Sequence, residues 1–281
     1  MALPTLDLEA MERIERKQTD RRLAVYLCET MSKVLPRLPT EAPCVAGFVE
    51  EAGLNATHQG FDQGRQYSTH IMISFLLGLN WQSDPVYDVV PLILDDRGLA
   101  EDVRLNMALN TAIKLRQQLE VVQPKMHAIT LETLLIPLDD LSLRDMWSAF
   151  QRLAELRGVV DAQAVLHLLT LYEADACTHL GLPAIKRKIL TAYERLGYQH
   201  MGLPLPLPTD ELKGLERDSL ILLTQHVLLA LSLGRFQHMN PLFQPLHQSL
   251  GDTTSLSART TVLVAFLRQH QKALTEEAAH A

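Results

Sequence analysis

The chain has 281 residues, 47% of them apolar and 21% charged. That is enough for one large domain or two modest ones, and too apolar for extended disorder. Its 26 Lys and Arg against 33 Asp and Glu leave a formal charge of −7, which excludes a general nucleic-acid binder that needs clustered cations for phosphates.

Cys28, Cys44 and Cys177 are too few and too scattered for a disulfide framework, so a reducing compartment is expected. Residues 1–17 interleave Asp7, Glu9, Glu12 and Glu15 with Arg13 and Arg16, without the basic start and apolar run of a signal peptide. The most apolar stretch, 219–234, is shorter than the roughly 20 residues that span a bilayer and contains Gln225 and His226. It reads as a buried helix with His226 as a core imidazole, and the expected location is cytoplasmic.

Apolar spacing is helical almost throughout, which predicts an all-α, multi-helix bundle of about ten helices. Leu23, Tyr26, Leu27, Met31 and Val34 form one stripe, closed by Pro36 and Pro39. A second helix starts near Pro43, and residues 71–79 are apolar on all sides, as the centre of a core would be. Ser83-Asp84-Pro85 is a helix-start signal, with Asp84 placed to accept a backbone N–H and Pro85 preset for the first helical position. Leu105, Leu109, Ala112 and Leu119 then trace one face of a long helix ending near Pro124.

Ser142 caps the cleanest amphipathic stripe, with Met146, Phe150 and Leu153 at helical spacing, and Asp161 caps the helix carrying Val165, Leu168 and Tyr172. Pro183 opens a helix through Ile185, Ile189, Tyr193 and Leu196. Leu203-Pro204-Leu205-Pro206-Leu207-Pro208 forces an extended, polyproline-like path, a rigid linker or a segment presented to a partner. A helix over 211–233, a shorter one after Asn240-Pro241 and a last one from about Ser255 complete the chain. No period of 20 to 50 residues repeats. Two helical regions, 1–123 and 124–281, are expected, joined as one domain or as two packed subdomains.

Chemistry-bearing patterns are sparse. His167, Glu173, Asp175, Cys177 and His179 are the densest set of metal-capable donors, but the pairs Glu173/Cys177 and Asp175/His179 project about 160° apart on a helix. No His-Glu-x-x-His, Cys-x-x-Cys, Gly-x-Ser-x-Gly or phosphate-binding glycine loop is present, and a triad of Ser74, His70 and Asp62 has no motif behind it. The one departure in charge lies at Asp84, Asp88, Asp95, Asp96, Glu101 and Asp102, opposed only by Arg97. These carboxylates either complement helix starts or form an acidic face that steers a basic partner.

Arg21-Arg22-Leu23, Glu29-Thr30-Met31, Leu35-Pro36, Phe48-Val49-Glu50, Gly53-Leu54-Asn55-Ala56, Gly60, Ser74-Phe75-Leu76-Leu77-Gly78 and Ser83-Asp84-Pro85-Val86-Tyr87 follow one another in the first 120 or so residues. In this succession the chain resembles the small helical proteins encoded beside bacterial type VI secretion PAAR/spike and effector genes. Trp81-Gln82-Ser83 stands where that pattern has Phe-Asp-x, and Gln59 where it has Tyr. The resemblance implies an accessory role in the bacterial cytosol: loading a toxic effector on the secretion spike, or holding one harmless.

The resulting expectation is a non-enzymatic interaction protein without catalytic residues, cofactor, metal, nucleic acid or membrane span, whose partner is a secreted effector or spike component. Trp81 and Tyr87 are its candidate anchors, Asp84, Asp88, Asp95 and Asp96 its steering charges, and Leu203, Leu205 and Leu207 its presented strap. The alternatives are an immunity protein for one cognate toxin and a helical-bundle metal-dependent hydrolase using His167, Asp175 or His179.

Overall fold

A computed structural model describes residues 8–30, 37–187 and 190–278, and among these it contains helices and 3-10 turns and no strand. Met31, Val34, Leu35, Pro36 and Ile189, named above, lie outside the described residues. The α-helices are α1 (Leu8–Thr30), α2 (Ala42–His58), α3 (Gly64–Leu77), α4 (Val89–Asp95), α5 (Glu101–Leu134), α6 (Leu143–Leu156), α7 (Ala162–Leu180), α8 (Ala192–His200), α9 (Arg217–Leu233), α10 (Gln244–Gly251) and α11 (Leu256–Ala278).

Two compact units result. The first comprises 1–117, 236–251 and 272–281, the second 118–235 and 252–271, so the division falls inside α5 and again inside α11. The expected boundary at 123/124 assumed that Pro124 ends a helix. It does not: α5 runs through Pro124 to Leu134. Proline removes one backbone donor and crowds the carbonyl four residues back, at roughly 3 kcal/mol. The turns beyond it bury Met126, His127, Ile129, Thr130, Leu131 and Leu134, which more than offsets that cost. Gln271 donates to the Pro124 carbonyl at 3.0 Å.

In the first unit α2 packs on α1 and α3, and its inward residues Val45, Phe48, Val49 and Ala52 meet Leu27, Tyr67, Ile71, Phe75 and Leu242. Tyr26, placed in the α1 stripe by spacing, is instead half exposed. Gly53 lies where α2 meets the Tyr67 hydroxyl, and a Cβ there would overlap that oxygen. In the second unit α9 packs on α6 and α7. It is buried nearly all round, from Leu220 to Ser232, as its uniformly apolar sequence requires.

The caps hold. Ser142 makes a capping box with Asp145, Asp161 accepts from the N–H groups of Gln163 and Ala164, and Asp84 accepts from Val86. Pro183, however, opens no helix. Residues 182–187 have no regular secondary structure, and α8 begins only after Thr191, whose capping box with Glu194 satisfies two amide donors that the proline signal leaves open.

One regularity spans far more of the chain than a short repeat. α3 ends at Gly78 (φ 104°), then come a 3-10 turn (Trp81–Ser83), the cap Asp84, a second 3-10 turn (Pro85–Tyr87), α4 and α5. α9 ends at Gly234 (φ 117°), then come Gln237–Met239, the cap Asn240, Pro241–Phe243, α10 and α11 in the same order and at a nearly constant offset in sequence. His70 and His226 occupy equivalent positions, and α1–α2 and α6–α7 precede the two copies. The copies differ in helix length, α5 being longer than α11 and α1 longer than α6, and in one connection above all. Residues 59–63 join α2 to α3, whereas 181–216 join α7 to α9 and carry α8, the Leu-Pro strap and a 3-10 segment (Pro208–Gly214).

Candidate functional site

The insertion 181–216 is far longer than the usual interhelical connection, and connections of that length in a compact domain are commonly functional. It is pinned at both ends. Leu212 is buried without exposure, and Thr209 Oγ1 donates to the Leu143 carbonyl of α6 at 3.0 Å. Arg187 folds inward, donating to the Glu173 carboxylate on α7 and to the Pro208 carbonyl of the strap, with Glu211 at 3.6 Å. One guanidinium thereby ties α7, the return after it and the strap together. Burial pushes the Glu173 carboxyl up to about 7 against the downward pull of Arg187.

Between α7 and the strap this arrangement leaves a groove of about 670 Å³. Leu166, Leu190, Leu205, Pro206, Leu207 and Pro208 give it an apolar lining, while Gln163, His167 and Thr170 line it from α7 and Arg195 from α8. Gln163, Leu166, His167 and Thr170 recur at helical spacing, so one open face of α7 forms a wall. α8 itself has no buried residue. Tyr193 is 85% exposed and Met201 65%, with Leu196, Leu203 and Leu205 each about half exposed.

The nine residues singled out in the sequence do not form one surface. Trp81, Asp84 and Tyr87 are core residues, which corrects their expected roles as anchors and steering charge. Trp81 is 1% exposed, packs with Ile73, Leu76 and Ala108, and donates its indole N–H to Ser74 Oγ at 3.2 Å. Asp84 is spent on capping. Asp88, Asp95 and Asp96 are exposed at the two ends of α4, beside Val89 and Leu92, and Asp96 also accepts from the Gly98 N–H at 2.9 Å. Leu205 and Leu207 line the groove, and Leu203 begins the strap.

The donors on and around α7 disperse. His167 lines the groove, Glu173 pairs with Arg187, and Asp175 takes a bidentate contact from Arg235 at 2.5 and 3.1 Å. Cys177 is a buried thiol whose pKa is raised by burial and by Glu173, and His179 packs on the buried His226 ring at 5.1 Å. Among the described residues no three metal-capable side chains converge. His70 lies 3.5 Å from Ser74 Oγ and beside Gln82, and burial lowers its pKa to about 4, while Asp62 is exposed and outside this network. It is a core polar network joining α3 to the turn after it.

Sequence reasoning found the strap and missed its partners Leu166, Leu190, Arg187, Arg195 and Glu211. The available signal was the length and proline content of 181–216 between two strongly helical segments.

The described residues define an all-α, multi-helix protein, and none of their helices is long and apolar enough to cross a membrane. No protein-family model matches the chain, and no curated protein and no solved structure matches it significantly.

Proposed function

We propose that the chain is a non-enzymatic interaction protein that holds a segment of a partner protein in the groove between α7 and the Leu-Pro strap. The observation that carries this reading is that the groove is walled by the insertion with the most concentrated apolar exposure of the second unit, with Leu205 both exposed and in its lining. Tyr193, Leu196, Met201, Leu203 and Leu205 all lie on the insertion 181–216. Apolar side chains held open on a pinned segment gain free energy when a partner covers them, at about 25 cal/mol per Å². The buried Arg187 keeps the walls in place before binding, which lowers the entropic cost of association.

The resemblance of the first 120 residues to type VI secretion accessory proteins supplies the partner class, a secreted effector or spike component, and a bacterial cytosolic setting. Co-purification of tagged protein with the products of neighbouring genes tests the reading. Stoichiometric retention of one product, lost on Leu205→Asp, is expected; retention of none, or retention indifferent to Leu205→Asp, overturns it.

A further inference from the structure

We infer that Glu173 is a proton latch on the Leu-Pro strap: the return from α7 and the strap close over its protonated carboxyl, and they lift when that proton passes to water. As a control on docking this rests on the function proposed above; as a property of the groove wall it is read in the free chain, so the two can fail separately.

The cluster holds one cation and two acids. Arg187 donates to Glu173 on α7 and to the Pro208 carbonyl, and Glu211 of the 3-10 segment stands 3.6 Å from the same guanidinium. With both carboxyls ionised the cluster carries an uncompensated negative charge, and like charges that share a site push a proton onto one of them. Burial selects which. The Glu173 side chain is 2% exposed and that of Glu211 27%, so Glu173 is the one that water solvates least. Its second oxygen, Oε1, is also buried without a hydrogen-bond partner among the described residues, as is Arg187 Nε. An anion is poorly held on those terms, because a buried charge needs its hydrogen-bonding sites filled.

No other charge intervenes among the described residues. Cys177, one turn further along α7, is a thiol whose own pKa is raised by burial and by Glu173, so it stays neutral. Asp175 is engaged by Arg235. α6 and α9 also pack on α7, and neither brings a described ionisable side chain to act on Glu173.

Linkage sets the direction. Arg187 alone would favour the carboxylate and tighten the strap as pH rises. Burial outweighs it and places the closed-state value at about 7, whereas a carboxyl wetted by lifting the strap returns to its ordinary 4.5. The closed state therefore binds the extra proton between these values, so closure weakens as pH rises from about 4.5 to 7 and changes little beyond. Between pH 5.5 and 8 the open fraction grows on the order of tenfold.

Arg187 Nε–H is sealed from water and exchanges only when the strap lifts. Its exchange rate in the 15N-labelled full-length chain, divided by that of the exposed Arg195 Nε–H, therefore reads the opening. This ratio should rise about tenfold from pH 5.5 to 8 and level off above about 7. In Glu173→Gln, which keeps the shape and cannot ionise, it should be flat, whereas a dependence due to His167 or Glu211 would persist. Glu211→Gln, at a partly exposed site, keeps the test alive if Glu173→Gln does not fold. It should move the rise to lower pH, because Glu211 pushes the Glu173 carboxyl upward. An invariant ratio, a ratio that falls with pH, the same rise in Glu173→Gln, or a midpoint unmoved by Glu211→Gln overturns the inference. So does loss of amide protection along the buried α9 in step with Arg187, since the whole unit then opens and not the strap. A chain that shows the rise but retains no neighbouring gene product has the latch without the docking function; retention with a flat ratio is the reverse.

Discussion

Replacing Gly53 by alanine examines the packing of α1, α2 and α3 at one atom. In an isolated helix the change would stabilise by about 1 kcal/mol, because glycine loses more backbone entropy and has the lower helix propensity. Here the new Cβ overlaps the Tyr67 hydroxyl and stands 3.0 Å from its ring carbon Cζ. Tyr67 is buried and donates to Asp20 Oδ1 at 2.6 Å, so it can yield only by giving up that bond. Burial raises the Tyr67 pKa, so the phenol keeps its proton and donates to Asp20.

The lost hydrogen bond costs about 1.5 kcal/mol. Overpacking adds about 1–3 kcal/mol. After subtracting the helix gain, Gly53→Ala should destabilise by about 1.5–3.5 kcal/mol. In a Tyr67→Phe background the oxygen is gone, a small ring shift relieves the remaining contact, and the same substitution should fall within about 1 kcal/mol of neutral. Urea unfolding of the four proteins of this cycle measures the coupling, expected near 2 kcal/mol. Equal destabilisation in both backgrounds, or stabilisation by Gly53→Ala alone, would refute the packing described.

Glu173 predicts a pH dependence. Its carboxyl holds a proton up to about pH 7 when folded, but only to its ordinary 4.5 when unfolded, so its contribution to stability falls as pH rises from about 4.5 to 7. Relative to wild type, Glu173→Gln should lose less stability over that interval in urea titrations; parallel curves for the two proteins would contradict the burial of Glu173. Trp81→Ala should cost about 3–5 kcal/mol by chemical denaturation, because the indole is enclosed, whereas Leu92→Ser at 71% exposure should stay within about 0.5 kcal/mol. A Trp81 variant as stable as wild type would return that residue to the surface.

What could be read from the chain divides by range. Ser142 and Asp161 were legible as caps because their contacts lie within three residues and need nothing from the rest of the fold. Pro124 and Pro183 were misleading for the same reason. Each is a local signal, and one was overridden by the buried turns after it, the other by the stronger box at Thr191. Whether Trp81 faces water or core depends on Ile73, Leu76 and Ala108, which the pattern around Asp84-Pro85 does not encode.

The strap was visible as a proline alternation, but the groove it makes was not. Arg187, Glu173 and Pro208 meet only because the return from α7 folds back, and the open ridge on α7 reads in sequence as an ordinary polar face. The correspondence of α3–α5 with α9–α11 was equally hidden, since it is carried by Gly78 and Gly234, Asp84 and Asn240, and Pro85 and Pro241 within dissimilar surroundings.

The central claim is that the insertion between α7 and α9 holds the partner. Amide hydrogen exchange of the full chain, alone and saturated with its co-purifying partner, addresses it directly. Slowed exchange concentrated in residues 163–170 and 185–207, with the acidic ends of α4 unchanged, is the predicted result. Protection at 88–103 with the strap exchanging as in the free protein would contradict the account.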